Sequence, residues 1–314
     1  MMGMFEFKNL TKTAFRSILK NRMRSFLTSL GIIIGVAAVI VMVGIGEGAQ
    51  KRIQGEIASL GTDVMMIFPG ASRFGGVSRG AGSWSPFTFS EVEEIRERAT
   101  SLKALSPVVR AGGQVIGGGQ NWSTSTFGVD PDYFTVRNWE VALGEIFSER
   151  DVVNRKKVAI LGKTVSDALF PSGNPVGERI RIRNVPFVVI GVLKPKGQNS
   201  MGQDQDDVII APTNTVMYRL QGNPHVDFLV ASARSPDEVD AAREQLRSIL
   251  REMRRLQDED ADNFNVRTQA DLIETASATA KLLTVLLGSI AGVSLVVGGI
   301  GIMNIMLVSV TERT

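Results

Sequence analysis

The sequence predicts a membrane protein in which two transmembrane α-helices, prolonged by helical stalks, flank a mixed α/β extracytoplasmic domain. Three observations predict it. Leu282 to Val310 runs 29 residues without a charge, and about 20 such residues already cross a bilayer. Phe26 to Gly46 is a second uncharged run, of 21 residues. Between them, 47–281 is polar and nearly charge-balanced, with 28 basic and 30 acidic residues, and holds alternating apolar runs that suit strands.

The 314 residues suggest about two domains. The formal net charge of +3 sits at the N-terminus, where residues 1–25 hold six basic residues against the single acid Glu6. Such a cluster beside a span orients the chain or meets anionic lipid, and it is not a nucleic-acid footprint. It places the N-terminus in the cytoplasm, with Lys20, Arg22 and Arg24 as the orienting charges nearest the span. Two spans then put 47–281 outside the cell (inner) membrane. The absence of cysteine removes disulfides, thiolate nucleophiles and cysteine zinc sites, and one histidine leaves few metal ligands or bases.

Taken in order, residues 1–25 form a basic amphipathic helix, since Lys8, Lys12, Arg16 and Lys20 recur every four residues beside Phe7, Leu10, Ala14 and Ile18. Transmembrane helix 1 occupies 26–46, with Gly31 and Gly35 at the spacing that lets helices approach closely. A cleaved signal peptide is the rival for this stretch, but its apolar core would be about 7–15 residues with a small-residue cleavage site. Ile53, Ile57 and Leu60 continue a helical period as a stalk. Val64 to Phe68 is a short strand, and Gly70 to Gly82 is a glycine-rich loop. Ser90 and Glu93 have capping-box spacing for a helix through about Arg98.

The middle, about 105–234, is strand-rich. Arg179–Arg183 alternates with period two, Asn184-Val185-Pro186 is a turn, and Phe187–Leu193 is a buried-type strand. Between them and the first strands, Val158 to Phe170 is a strand followed by a short helix. Ser235-Pro236-Asp237-Glu238 is a helix start, and Val239, Ala242, Leu246, Ile249, Met253 and Leu256 give one apolar stripe on a helix ending near Asp258. Thr268 and Asp271 cap a last helix that runs into transmembrane helix 2 at 282–310. Gly288 and Gly292 repeat the small-residue spacing there, and Asn304 is a polar group able to bond across helices.

Catalytic chemistry is sparse. Gly162-Lys163-Thr164 follows a strand and precedes a helix, as a phosphate loop does, but Lys157 stands where the loop requires glycine; a strand–turn–helix corner is the better reading. His225 lacks a nucleophile motif and reads as a surface histidine. Asp204, Asp206 and Asp207 lack the glycine and terminal glutamate of a calcium loop and read as a solvated acidic turn. No catalytic, cofactor or metal site is expected in this chain.

The run RMRSFLTSLGIIIGVAAVIVMVGIGEGAQ and the end GGIGIMNIMLVSVTERT resemble the first and second transmembrane helices of MacB/FtsX-type ABC transporter permeases. LGTDVMMIFPG and NPVGERIRIRNVPFVVIGVL are similar to that family's extracytoplasmic domain. The resemblance implies a permease subunit that couples ATP hydrolysis, with ATP and Mg on a partner cytoplasmic ABC ATPase, to movement of the outer domain: mechanotransmission rather than a channel. It implies a homodimer, often with a periplasmic adaptor protein, exporting or extracting macrolides, peptides or lipoproteins. It also implies that Thr311, Glu312, Arg313 and Thr314 (311–314) begin the segment that touches the ATPase. Such permeases continue into two further helices, so this chain by itself is expected not to transport. The alternative is a two-span membrane-anchored sensor whose outer domain binds a ligand.

Overall fold

The computed structural model describes residues 26, 30, 33–37, 39–42, 44–46, 48, 63–70, 73–74, 77–78, 85–171, 173–199, 202–222 and 225–311. The expected basic helix, Lys20, Arg22, Arg24, Gly31, the stalk after the first span, most of the glycine-rich loop and Glu312–Thr314 lie outside these residues, as does the side chain of Asn304. The chain divides into two compact units, 1–52 with 274–314, and 53–273.

In the second unit, a ten-stranded mixed sheet is assembled from β1 (Val64–Pro69), β4 (Leu102–Gly117), β5 (Gln120–Val129), β6 (Val141–Gly144), β7 (Val158–Leu161), β8 (Arg179–Ile182), β9 (Val185–Leu193), β10 (Val208–Pro212), β11 (Phe228–Ala233) and β12 (Phe264–Thr268). β2 (Arg73–Phe74) and β3 (Val77–Ser78) pair separately. The main order is β12-β1-β11-β4-β5-β10-β7-β9-β6, with β8 bridging β4 and β9. The pairs β10–β5 and β7–β9 are parallel and the others antiparallel.

Period-two alternation sends successive side chains to opposite faces, so one sheet carries two cores. Met65, Ile67, Leu105, Val109, Ile209 and Ala211 face the larger one. It is closed by α1 (Phe89–Arg98), α4 (Lys163–Leu169), α5 (Thr213–Val216) with its π-helical continuation Met217–Gln221, and α6 (Val239–Met253). Val64, Ala104, Val108, Ile210 and Val230 face the other, beneath α2 (Asp132–Val136), Trp139, Phe147 and α3 (Glu149–Val153). The sequence pattern of a buried strand bounded by turn residues is thus produced by helices on both faces.

Several local expectations shift. The cap of α1 is Thr88 with Glu91, two residues before the expected Ser90–Glu93 pair. Both registers fit the motif; the earlier one forms, and the helix it starts buries Val92 and Ile95. The β8–β9 turn is the two residues Arg183-Asn184, with Arg183 at φ 52°, so Val185 and Pro186 belong to the strand. Ser235 starts a 3₁₀ turn, Pro236–Glu238, without a side-chain cap. The stripe on α6 is borne out, with Ala242, Leu246 and Ile249 buried. That helix stops at Met253 because Arg255 is left-handed (φ 52°) and Leu256 N–H donates back to the Arg251 carbonyl at 2.9 Å.

The last helix, α7, spans Gln269–Thr311. Among the described residues one stretch is long and apolar enough to cross a membrane, Lys281–Ile300, and Ile33–Gly46 is a shorter apolar helix. Lys281–Ile300 overlaps the expected second span of 282–310, while the expected first span falls partly outside the described residues.

Candidate functional site: the strand-to-helix junction

β12 is the edge of the sheet and β1 is its neighbour. Their antiparallel register sets Met65 opposite Thr268 and Pro69 opposite Phe264. The first strand of the domain and the last therefore begin and end side by side, although about 200 residues separate them in sequence.

At the end of β12 the chain turns into α7 without a linker. Thr268 N–H donates to the Asp271 carboxylate at 2.8 Å, and Asp271 N–H donates to Thr268 Oγ1 at 3.2 Å. This reciprocal cap, expected from the sequence, satisfies donors that a helix start leaves orphaned. Thr268 and Gln269 are buried, so the turn is set into the domain. Arg243 of α6 donates to Asp271 at 3.1 Å. Partial burial pushes the Asp271 carboxyl up, but the Thr268 N–H and the Arg243 charge outweigh it and hold it below its ordinary value.

Arg254 is a residue the sequence did not mark. Its guanidinium, 7 % exposed, donates to Glu91 of α1 at 3.0 Å and to the Asn263 carbonyl and side chain at 3.0 Å, and it lies 4.6 Å from the Phe87 ring centroid. It thereby locks α1, α6 and the approach to β12 together. Its place between Met253 and Leu256 of the stripe did not signal it, since Glu91 and Phe87 lie more than 160 residues away in sequence.

In the membrane-helix unit Gly35 is buried, and a Cβ added at Gly288 would meet Met42 Sδ at 3.6 Å. One added at Gly292 would meet nothing within 4 Å. Thr311 is the last residue of α7.

The remaining sequence candidates resolve into scaffolding. Gly162 caps α4 at a strand–helix corner, and a Cβ there would sit 2.1 Å from the Asp206 carbonyl oxygen. Lys163 pairs with Asp167 and Thr164 donates to Asp204 at 2.6 Å. Asp206 is buried rather than solvated, because the backbone N–H groups of Lys196 and Gly197 donate to it, both at 2.8 Å. Asp207 accepts from the Trp122 indole at 2.8 Å. His225 is half-buried rather than a free surface group, with Nε2 3.4 Å from Asp227 and 3.3 Å from Gln221. Among the described residues no cluster of three or more His, Asp or Glu could hold a metal.

Comparison with known proteins agrees with this architecture. The MacB-like periplasmic core domain matches residues 25–249. A macrolide export ATP-binding/permease protein MacB of Syntrophobacter fumaroxidans is 38 % identical over an alignment 363 positions long, covering 98 % of this chain and 51 % of that protein. One from Chlorobium phaeobacteroides is 41 % identical over 301 positions, covering 96 % and 46 %. The chain thus spans about half the length of the curated relatives it matches. Among solved structures, the periplasmic region of MacB from Actinobacillus actinomycetemcomitans shares the fold (TM-score 0.57, 21 % identity), covering 71 % of this chain and 96 % of that one. The extracellular domain of the noncanonic ABC-type transporter YknZ from Gram-positive bacteria does so at TM-score 0.54 and 16 % identity, covering 66 % and 100 %. The chain belongs to the MacB-like permease family and carries its periplasmic core domain.

Proposed function

We propose that this chain is the extracytoplasmic domain and flanking membrane helices of an ABC transporter permease that works by mechanotransmission. A partner ATPase binds ATP and Mg in the cytoplasm and displaces the inner ends of the membrane helices. The displacement reaches the outer domain, whose movement exports substrate. Macrolides are the proposed substrate class, after the names of the relatives. The single observation that carries the reading is the junction: β1 and β12 are hydrogen-bonded neighbours, and β12 passes into a 43-residue helix through a satisfied cap. The absence of a linker between β12 and the start of the helix supports transmission through this point.

The same reading places Thr311, Glu312, Arg313 and Thr314 at the ATPase contact, Gly31, Gly35, Gly288, Gly292 and Asn304 at helix–helix packing, and Lys20, Arg22 and Arg24 at the cytoplasmic face. A homodimer and a periplasmic adaptor complete it.

The test inserts Gly-Gly-Ser-Gly after Ile273 in the complete transporter, expressed with its ATPase in a macrolide-sensitive host. The expected result is intact ATP hydrolysis with loss of the erythromycin resistance conferred by the unaltered transporter. Resistance that survives the insertion overturns transmission through the junction. An unaltered transporter that confers no resistance overturns the macrolide assignment.

A further inference from the structure

A ladder of cations and rings crosses the face of the sheet that bears the second core, against which its Phe127 and Phe228 pack. Arg267 of β12 lies 5.9 Å from the Phe68 ring centroid of β1. Phe68 stacks on Phe228 of β11, centroids 5.4 Å apart. Arg110 of β4 lies 5.6 Å from Phe228 and 5.3 Å from Phe127 of β5, its directly opposed partner. Five consecutive strands, β12-β1-β11-β4-β5, thus contribute one side chain each.

The rings are half-buried and both arginines are exposed. Among the described residues neither guanidinium makes a hydrogen bond or an ion pair. A guanidinium lying over a ring keeps its edge donors directed outward, where they match a carboxylate in bidentate geometry. The Asp227 carboxylate is engaged by the Arg110 backbone N–H at 2.6 Å and by Gln221 at 3.1 Å, and makes no hydrogen bond to the Arg110 guanidinium.

The charge pattern is cation, two stacked rings, cation. The three centroid steps set the two guanidiniums no more than about 17 Å apart. A lipid brings its charge to one end of an apolar chain and matches only half of this pattern. An amphipathic helix matches all of it. Residues i, i+4, i+7 and i+11 share one helix face, and eleven residues rise ~16.5 Å.

We infer that this ladder is a docking surface for an acidic amphipathic helix of another protein. Two carboxylates of that helix engage Arg267 and Arg110, and the apolar side chains between them pack on Phe68 and Phe228.

The test uses the whole chain in lipid nanodiscs and a synthetic helical peptide with Glu at i and i+11 and Leu at i+4 and i+7. One control peptide carries Gln in place of both Glu residues, and another moves both Glu residues to the opposite face. The expected result is that each control binds at least about tenfold more weakly than the probe, in line with a charge pair contributing at an interface. Arg110→Gln with Arg267→Gln, checked for an unchanged melting temperature, should abolish the difference between the peptides. Equal binding of probe and controls, discrimination that survives in the double variant, or no binding of the probe overturns the inference. So does arginine-dependent binding of phosphatidylglycerol vesicles that exceeds binding of the probe, which would identify the surface as a lipid contact.

Discussion

Met65 and Thr268 oppose one another across the β1–β12 pair, so the domain receives and releases its chain at one place on the sheet edge. Strain applied between those ends acts first on this one ladder of hydrogen bonds. The next strands, β11 and then β4, carry it into the rest of the sheet.

The cap next to this pair should be measurable as stability. A fragment of residues 61–273 should unfold cooperatively on heating, and one ending at Arg267 should melt at lower temperature. Asp271→Ala in the longer fragment should lose about 1 kcal/mol, the usual worth of such a cap, read from urea midpoints at unchanged slope. Equal stability of the variant would show the cap to be idle.

That cap was legible because its two residues stand three apart, and local spacing is what a sequence displays openly. The α6 stripe and the β8–β9 hairpin were legible for the same reason. The order of the sheet was not, since nothing in Val64–Pro69 names Phe264–Thr268 as its neighbour. Arg254 and the Arg267–Phe68–Phe228–Arg110 ladder stayed hidden because each is assembled from strands or helices distant in sequence. Asp206 and His225 were misplaced as solvated groups because burial depends on which backbone folds over them.

Gly162 and Lys163 separate a scaffold corner from a phosphate loop. Gly162→Ala should cost about 2–4 kcal/mol, because its Cβ would collide with the Asp206 backbone carbonyl. Lys163→Ala removes an exposed ion pair with Asp167 and should change stability by no more than about 0.5 kcal/mol. Equilibrium unfolding checks the pair of values. A nucleotide that binds the chain and is lost with Lys163 would reverse the assignment.

Asp151 should give stability a measurable acid dependence. The Lys156 ammonium and the N–H and hydroxyl of Ser148 hold its carboxyl at about 2, below the ordinary 3.8. A carboxyl depressed in the folded state contributes stability that is complete above its unfolded value and is lost as pH falls through the folded one. The contribution of Asp151 should therefore be constant above about pH 5 and decay from about pH 4 toward pH 2. Asp151→Asn should be less stable than the parent at neutral pH and converge on it at pH 2. Parallel curves across that range would contradict the assignment.

The side of the membrane can be read by labelling. Cysteine introduced at Ser123, exposed on β5, should react with a membrane-impermeant maleimide in intact spheroplasts. Cysteine at Ser17 should react only after lysis, given the basic cluster that precedes the first span. The reverse pattern would invert the proposed topology and remove the ATPase contact from the cytoplasm.

The placement of β1 also sets a timetable for biogenesis. Its two neighbours are β11 and β12, which emerge roughly 160 and 200 residues later, or about 8–40 s at ordinary synthesis rates. Through that interval the newly translocated Val-Met-Met-Ile-Phe segment has no strand to pair with, while the β4–β5 hairpin can close at once. Long-range pairing of this kind is slow and leaves apolar edges open to the wrong partner. Maturation of this domain is therefore governed by its last strand to arrive, and a holdase on the far side of the membrane would act on its first.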